Sequence, residues 1–169
     1  MKIIYLIFIL IWFTGCDPEN EFTSPEDQSQ YKAILMNRVD LESSISFQPS
    51  RDLINPGKIY LKDFFIYINE KYEGFHVINN SNPRDPVNIG FLVVPGAIDV
   101  AIKDNILYAD NAVDLVAINI ADLDSAQVVS RNNEVFPELL PPDLMFLPNI
   151  YTAENRPANS IIVKWVRKQ

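Results

Sequence analysis

The chain repeats itself, and a repeat of this length restricts how it can fold. Lys62-Asp63-Phe64-Phe65-Ile66-Tyr67-Ile68 reads against Lys103-Asp104-Asn105-Ile106-Leu107-Tyr108-Ala109 at an offset of 41. Gly74-Phe75-His76-Val77-Ile78-Asn79 then reads against Asp114-Leu115-Val116-Ala117-Ile118-Asn119 at an offset of 40, so one residue is lost in the turn between. Further on, Ile89 matches Val129. Two copies of about forty residues cover 58–94 and 97–132, the length of one supersecondary unit that stacks on its neighbours.

Each copy carries four short apolar runs. In the first they fall at 58–61, 64–69, 74–78 and 87–94; in the second, at 97–102, 106–109, 115–120 and 126–129. The alternation of Ile66 with Ile68, and of Val113, Leu115 and Ala117, suits strands. Between runs stand Lys-Asp pairs, Asn79-Asn80-Ser81-Asn82-Pro83 and Ala121-Asp122-Leu123-Asp124-Ser125. These are turn compositions, because Asn and Asp tolerate left-handed dihedrals and bond their own backbone. Ten of the 12 prolines, from Pro49 to Pro157, punctuate the apolar runs and exclude long helices. Gly57, Gly74, Gly90 and Gly96 read as strand-end glycines, serving turn geometry. Four strands per forty residues is the pattern of a β-propeller blade. The expected fold class is all-β. Two four-stranded propeller-blade-like repeats over 58–133 form a partial (incomplete) β-propeller, with irregular N- and C-terminal segments at 31–57 and 134–169.

In the N-terminal segment, Ile34, Leu35, Val39 and Leu41 suit a short helix or turn, with Arg38 and Glu42 paired four residues apart. The stretch 36–42 equally suits a strand entering the sheet. Residues 135–148 read as an irregular insertion rich in Pro, Leu and Phe, and 160–166 as one more strand. The basic cluster Lys164-Trp165-Val166-Arg167-Lys168 reads as a solvated tail.

Phe75-His76-Val77-Ile78-Asn79 and Leu115-Val116-Ala117-Ile118-Asn119 resemble the LVIVD repeat, the strand motif of a propeller-like family of bacterial surface lipoproteins. Asn79 and Asn119 stand where the motif ends in Asp. Asn80-Ser81-Asn82-Pro83 resembles the Asn-Pro turn that follows the motif, while the second copy has Asp122-Leu123. The resemblance covers residues 58–132. Members of that family are generally longer, with several more repeats, so it implies that this chain is the N-terminal portion of such a protein.

The start of the chain supplies an address. Met1-Lys2 precedes eleven apolar residues, 3–13, and then Thr14-Gly15-Cys16. A short basic start and a short apolar run ending in small residues describe a signal peptide over 1–15. The run is shorter than the roughly 20 residues needed to cross a bilayer. Cys16 is the lone cysteine, so no intramolecular disulfide forms. Phe13-Thr14-Gly15-Cys16 resembles a bacterial lipobox, with Phe13 where the family usually has Leu. The resemblance implies lipidation of Cys16 and stable anchoring by two or three acyl chains; the alternative is an ordinary signal peptide with an incidental cysteine. Residues 17–30 hold five acids, no bases and two prolines, a composition that predicts a disordered tether, so that 16–30 would be lipidated Cys plus tether. Such an acidic stretch also resembles the surface-export signal of some Gram-negative lipoproteins. The expected location is the cell envelope, as an outer-membrane lipoprotein facing the periplasm or the surface.

The formal charge of −8 argues against nucleic-acid binding, since phosphate backbones would be repelled. His76 is the one histidine and has no cysteine or second histidine to share a zinc ion, nor a Gly-x-Ser-x-Gly nucleophile to serve; it reads as an exposed or edge residue. Asp110 and Asp114, and likewise Asp122 and Asp124, offer oxygens but lack the density of a calcium loop, and read as turns. Asp124-Ser125-Ala126 resembles a periplasmic O-glycosylation acceptor and is equally an Asx-type turn. Tyr60, Phe64, Tyr67, Tyr72, Phe75 and Tyr108 suit either a carbohydrate platform or cross-strand packing, and packing is the stronger explanation. No catalytic residue, metal ligand or cofactor is therefore assigned. The expected function is non-enzymatic binding or scaffolding by a membrane-anchored lipoprotein. Its partners are the membrane, a protein or carbohydrate ligand, and other copies through open sheet edges. The alternatives are an envelope hydrolase or lyase on a propeller, and a truncated fragment without activity of its own.

Overall fold

The structure, a computed structural model, describes residues 29–169. The expected signal peptide, the lipid site at Cys16 and most of the acidic tether lie outside the described residues. The chain enters through β1 (Tyr31–Asn37), a short helix α1 (Arg38–Ser43) and β2 (Ser46–Gln48). The first repeat forms β3 (Pro56–Lys62), β4 (Phe65–Glu70), β5 (Gly74–Asn79) and β6 (Val87–Val93). The second forms β7 (Val100–Lys103), β8 (Ile106–Asn111), β9 (Asp114–Asn119) and β10 (Gln127–Asn132). β11 (Ser160–Arg167) closes the described chain.

The described fold is all-β, in antiparallel sheets that do not close into a barrel. Each repeat makes a meander in which consecutive strands pair. The first sheet has five strands rather than the expected four, because β2 from the supposedly irregular N-terminal segment adds to the free edge of β6. Gly90 lies in the middle of β6, not at a strand end. A β-carbon there would meet the ring of Phe47 on β2, at 2.1 Å from its Cζ, so the glycine lets the extra strand seat its aromatic.

The hairpins repeat in backbone as well as in letters. Asp63 and Asp104 open the β3–β4 and β7–β8 turns at φ 53° and 52°, a left-handed conformation that Asp tolerates. Tyr72 and Ala112 take the equivalent place in the next turns at φ 69° and 59°; the second turn is one residue shorter.

The two meanders stack face against face, and the register shows which faces meet. The first meander offers Tyr67, Phe75, Val77 and Leu92, which join Val100, Ile102, Leu107, Ala109, Val116 and Ile118 of the second in one buried cluster. Tyr60 crosses the seam, its hydroxyl donating to the Ile102 carbonyl at 3.0 Å. By the repeat offsets, Tyr67, Phe75 and Val77 correspond to Tyr108, Leu115 and Ala117, which lie on the far side of the second sheet. The residues that do receive them, such as Leu107 and Ile118, correspond to Ile66 and Ile78 on the far side of the first. Packing is therefore head to tail. The trailing face of one meander covers the leading face of the next, and equivalent faces never meet.

Residues 31–48 form a strand, a helix and a strand, so the expected short helix is present but only over Arg38–Ser43. Residues 31–37 extend because β11 supplies a partner, with Tyr31 opposite Arg167 and Asn37 opposite Ser160. Asn37 then caps α1, its side-chain oxygen accepting from the Val39 N–H at 2.9 Å. The proposed apolar helix face does not exist: Leu41 is buried while Val39 is exposed. Arg38 turns to Asp114, not to Glu42. The basic cluster is solvated only in part: Arg167 and Lys168 are exposed, while Trp165 on β11 is buried beside Leu139 and Tyr151 and donates its indole N–H to the Leu139 carbonyl at 2.9 Å. Ser29, assigned to the disordered tether, is buried, and its hydroxyl meets Asp143 at 2.9 Å.

Candidate functional site

The trailing face of the second meander carries an apolar groove. Ala101, Tyr108 and Leu115 form its floor, and the segment 136–140 forms its wall, leaving a groove of about 510 Å³. The wall is held from several sides. The Phe136 N–H donates to the Val113 carbonyl at 2.9 Å, and the Glu134 N–H to Asp114 at 3.1 Å. Leu139 is buried beneath Trp165, and Glu138 pairs with Arg156. Pro137, Pro141 and Pro142 keep this stretch from joining a sheet or a helix. Asp110 stands at the groove's polar end. Its carboxylate accepts the N–H groups of Ile98 and Asp99, both at 2.7 Å. Burial outweighs these bonds and raises the carboxyl above its usual range.

At the opposite, leading face the polar residues are committed to one another. Asp114, fully buried, accepts from Arg38 and Arg131, both at 2.6 Å, while Arg131 also donates to Asn111 at 2.8 Å. Burial pushes the Asp114 carboxyl up, and the two guanidiniums with the Glu134 N–H more than reverse it, so it stays below the usual range. Asp110 and Asp114, four positions apart, thus point to opposite faces and cannot share a calcium ion. Asp122 accepts from the Asp124 N–H at 3.2 Å and the Ser125 hydroxyl at 2.8 Å, an Asx turn. Among the described residues, no group of three or more His, Cys, Asp and Glu is placed to hold a metal.

His76 is not exposed or at an edge. It sits on a central strand with 0% exposure, its Nε2 3.2 Å from Glu70 and its ring edge-on to Phe91 at 4.8 Å. The segment 51–55 covers the sheet face opposite Phe75 and Val77, on which His76 lies. Arg51 stacks 3.5 Å from the Phe91 ring centre. The Ile54 and Asn55 N–H groups both donate to Glu70. Burial alone would raise the Glu70 carboxyl, but these donors and His76 hold it below the usual range. The aromatic residues do not assemble into a platform: Tyr67 and Phe75 fill the seam, Phe64 is exposed at a hairpin tip and Tyr108 lies in the groove.

Sequence reasoning missed the groove, because its wall comes from an irregular segment with no periodicity to read. It missed the Arg38–Asp114 pair because 76 residues separate the partners. A signal did exist for the floor: the second copy repeats the Tyr of the first at a position with no partner meander among the described residues.

Compared with models of known protein families, with curated proteins and with solved structures, the chain finds no match.

Proposed function

We propose that this chain is a membrane-anchored envelope lipoprotein whose propeller-like repeats serve binding or scaffolding. The observation that carries the reading is the head-to-tail stacking of the two meanders, the way propeller blades stack, ending in an unfilled apolar groove at Tyr108. The resemblance of both β5 and β9 to the LVIVD motif supports the same architecture. A non-catalytic role is favoured by where the carboxylates go. Asp110, Asp114 and Glu70 are each engaged by backbone N–H groups, arginines or His76 that fix the fold.

Anchoring rests on Cys16 directly after the short apolar run. Twelve residues separate it from Ser29, the first described residue, a stretch that fully extended would span about 40 Å. The outer membrane of a Gram-negative bacterium is the location this reading favours. Fractionation of cells expressing a Cys16→Ala variant tests it. The variant should move from membranes to the soluble envelope fraction, and retention in the membrane would overturn the lipid anchor.

A further inference from the structure

We infer that the open trailing face of the second meander docks the leading face of the first meander of a second copy, so that copies add head to tail. The seam within one chain supplies the pattern. Tyr67 and Val77 are buried there by a neighbouring meander; Tyr108, at the position equivalent to Tyr67, has no such neighbour and is 38% exposed, beside a buried Ala117.

The matching surface is carried by the same chain. A neighbour's leading face inserts Ile102, Leu107 and Ile118 into the existing seam. Their equivalents in the first meander are Leu61, Ile66 and Ile78, and Leu61 is 67% exposed. Neighbouring Ile59 is 62% exposed, an apolar edge that a lone soluble sheet has no reason to display.

The two surfaces are also open at the same end. On the first meander's leading face, residues 51–55 cover the Glu70 end and leave the β3–β4 hairpin half free. On the second meander's trailing face, residues 134–140 cover the Asp110 end and leave the β7–β8 hairpin half free. Charge agrees as well. Lys58 pairs with Asp99 across the internal seam, and the two are equivalent positions, 41 residues apart. Repeating the seam between copies sets Asp99 against Lys58 of the next copy, again opposite charges. An interface of this kind joins different patches, so it closes into a ring or runs on as a filament. With the two described meanders in each copy, a propeller of 4–8 blades corresponds to about two to four copies.

The inference deepens the scaffolding reading and is independent of the anchor. The test therefore uses the full chain in a Cys16→Ser background, where failure of anchoring leaves association measurable. Sedimentation of this protein should show mass rising with concentration. Tyr108→Asp alone and Leu61→Asp alone should each abolish the rise. Mixing those two variants should restore a dimer and nothing larger, since each keeps one intact patch. As a second readout, Leu61→Cys and Tyr108→Cys chains should form a disulfide with one another on mixing, and each alone should not. A chain that stays monomeric up to its solubility limit overturns the inference. So does association untouched by both Asp variants, which marks edge pairing, or loss in both without recovery on mixing, which marks a symmetric contact.

Discussion

Tyr67 and Tyr108 occupy one register position in consecutive meanders, opposite Val77 and Ala117, yet Tyr67 is 3% exposed and Tyr108 38%. The sequence places the same ring on the same strand twice. What differs is the neighbour: a second meander lies over the first ring, and only the margin of residues 136–140 reaches the other. Burial, with the charge of Asp63, pushes the Tyr67 hydroxyl up to about 12, so it stays protonated in the seam at neutral pH.

Truncating the two tyrosines should therefore separate them. Tyr67→Ala removes a filled aromatic from the seam and should cost about 3–5 kcal/mol. Tyr108→Ala should cost no more than about 0.5 kcal/mol, the range of ordinary surface changes. Urea denaturation of both variants at low protein concentration measures the difference; equal losses would mean that the seam is not where the fold keeps its stability.

Asp114 ties the helix start to the second meander. Asp114→Ala leaves Arg38 and Arg131 facing each other without their shared anion and should destabilise by about 3–5 kcal/mol. Arg38→Ala or Arg131→Ala should cost less, because one guanidinium still pairs the buried carboxylate. The double arginine variant should lose more than the two single losses added together. Additive losses in that cycle would show that the two arginines act separately.

Glu70 and Asp114 both sit below their ordinary values of 4.5 and 3.8. A carboxyl lowered by folding stabilises fully above its unfolded value and loses that contribution as the pH falls through the folded one. Asp110 has the opposite sign, raised by burial, so its small cost at neutral pH is relieved on acidification. The lowered carboxyls, Asp99 and Asp143 among them, outnumber the raised one, so the chain should lose stability below about pH 4. Glu70→Gln should be less stable than the parent at pH 7, and the gap should narrow toward acid. Melting curves across this range check it; a gap constant with pH would sink the assignment to Glu70.

Gly90 and Phe47 form a single fitted contact between β6 and β2. Gly90→Ala drives a methyl into the ring and should cost about 1–3 kcal/mol. Combining it with Phe47→Ala should recover part of that loss, because the obstructing ring is gone. A double variant as unstable as the two singles together would place the strain elsewhere.

The meanders were legible because their cause is local. Alternation at Ile66 and Ile68 and the Asp that opens each first hairpin fall within one strand-turn-strand unit, and the repeat gives a second reading of each signal. The lost residue between offsets appears as the shorter β8–β9 turn. What was not legible comes from partners far along the chain. Residues 31–37 carry no strand signal that survives without β11, and β2 is three residues long. His76 read as open because the strip that covers it, 51–55, has no regular structure. Arg38 had a plausible neighbour at Glu42, but a fully buried Asp114 outweighs an exposed helical pair. The groove, too, depends on how an irregular segment is pinned by Trp165 and Arg156.

β1 and β11 put Tyr31 beside Arg167, so the two outermost described strands are clasped by each other. Mechanically this clasp is a zipper. Tension applied between residues 31 and 167 would pull across the strands and open the ladder one rung at a time, from the Tyr31 end toward Ser160. Tension applied at Tyr31 and resisted from the Ser160 end would instead run along the strands and load every rung together. The direction of a pull on Tyr31 would therefore decide whether this fold yields gradually or holds.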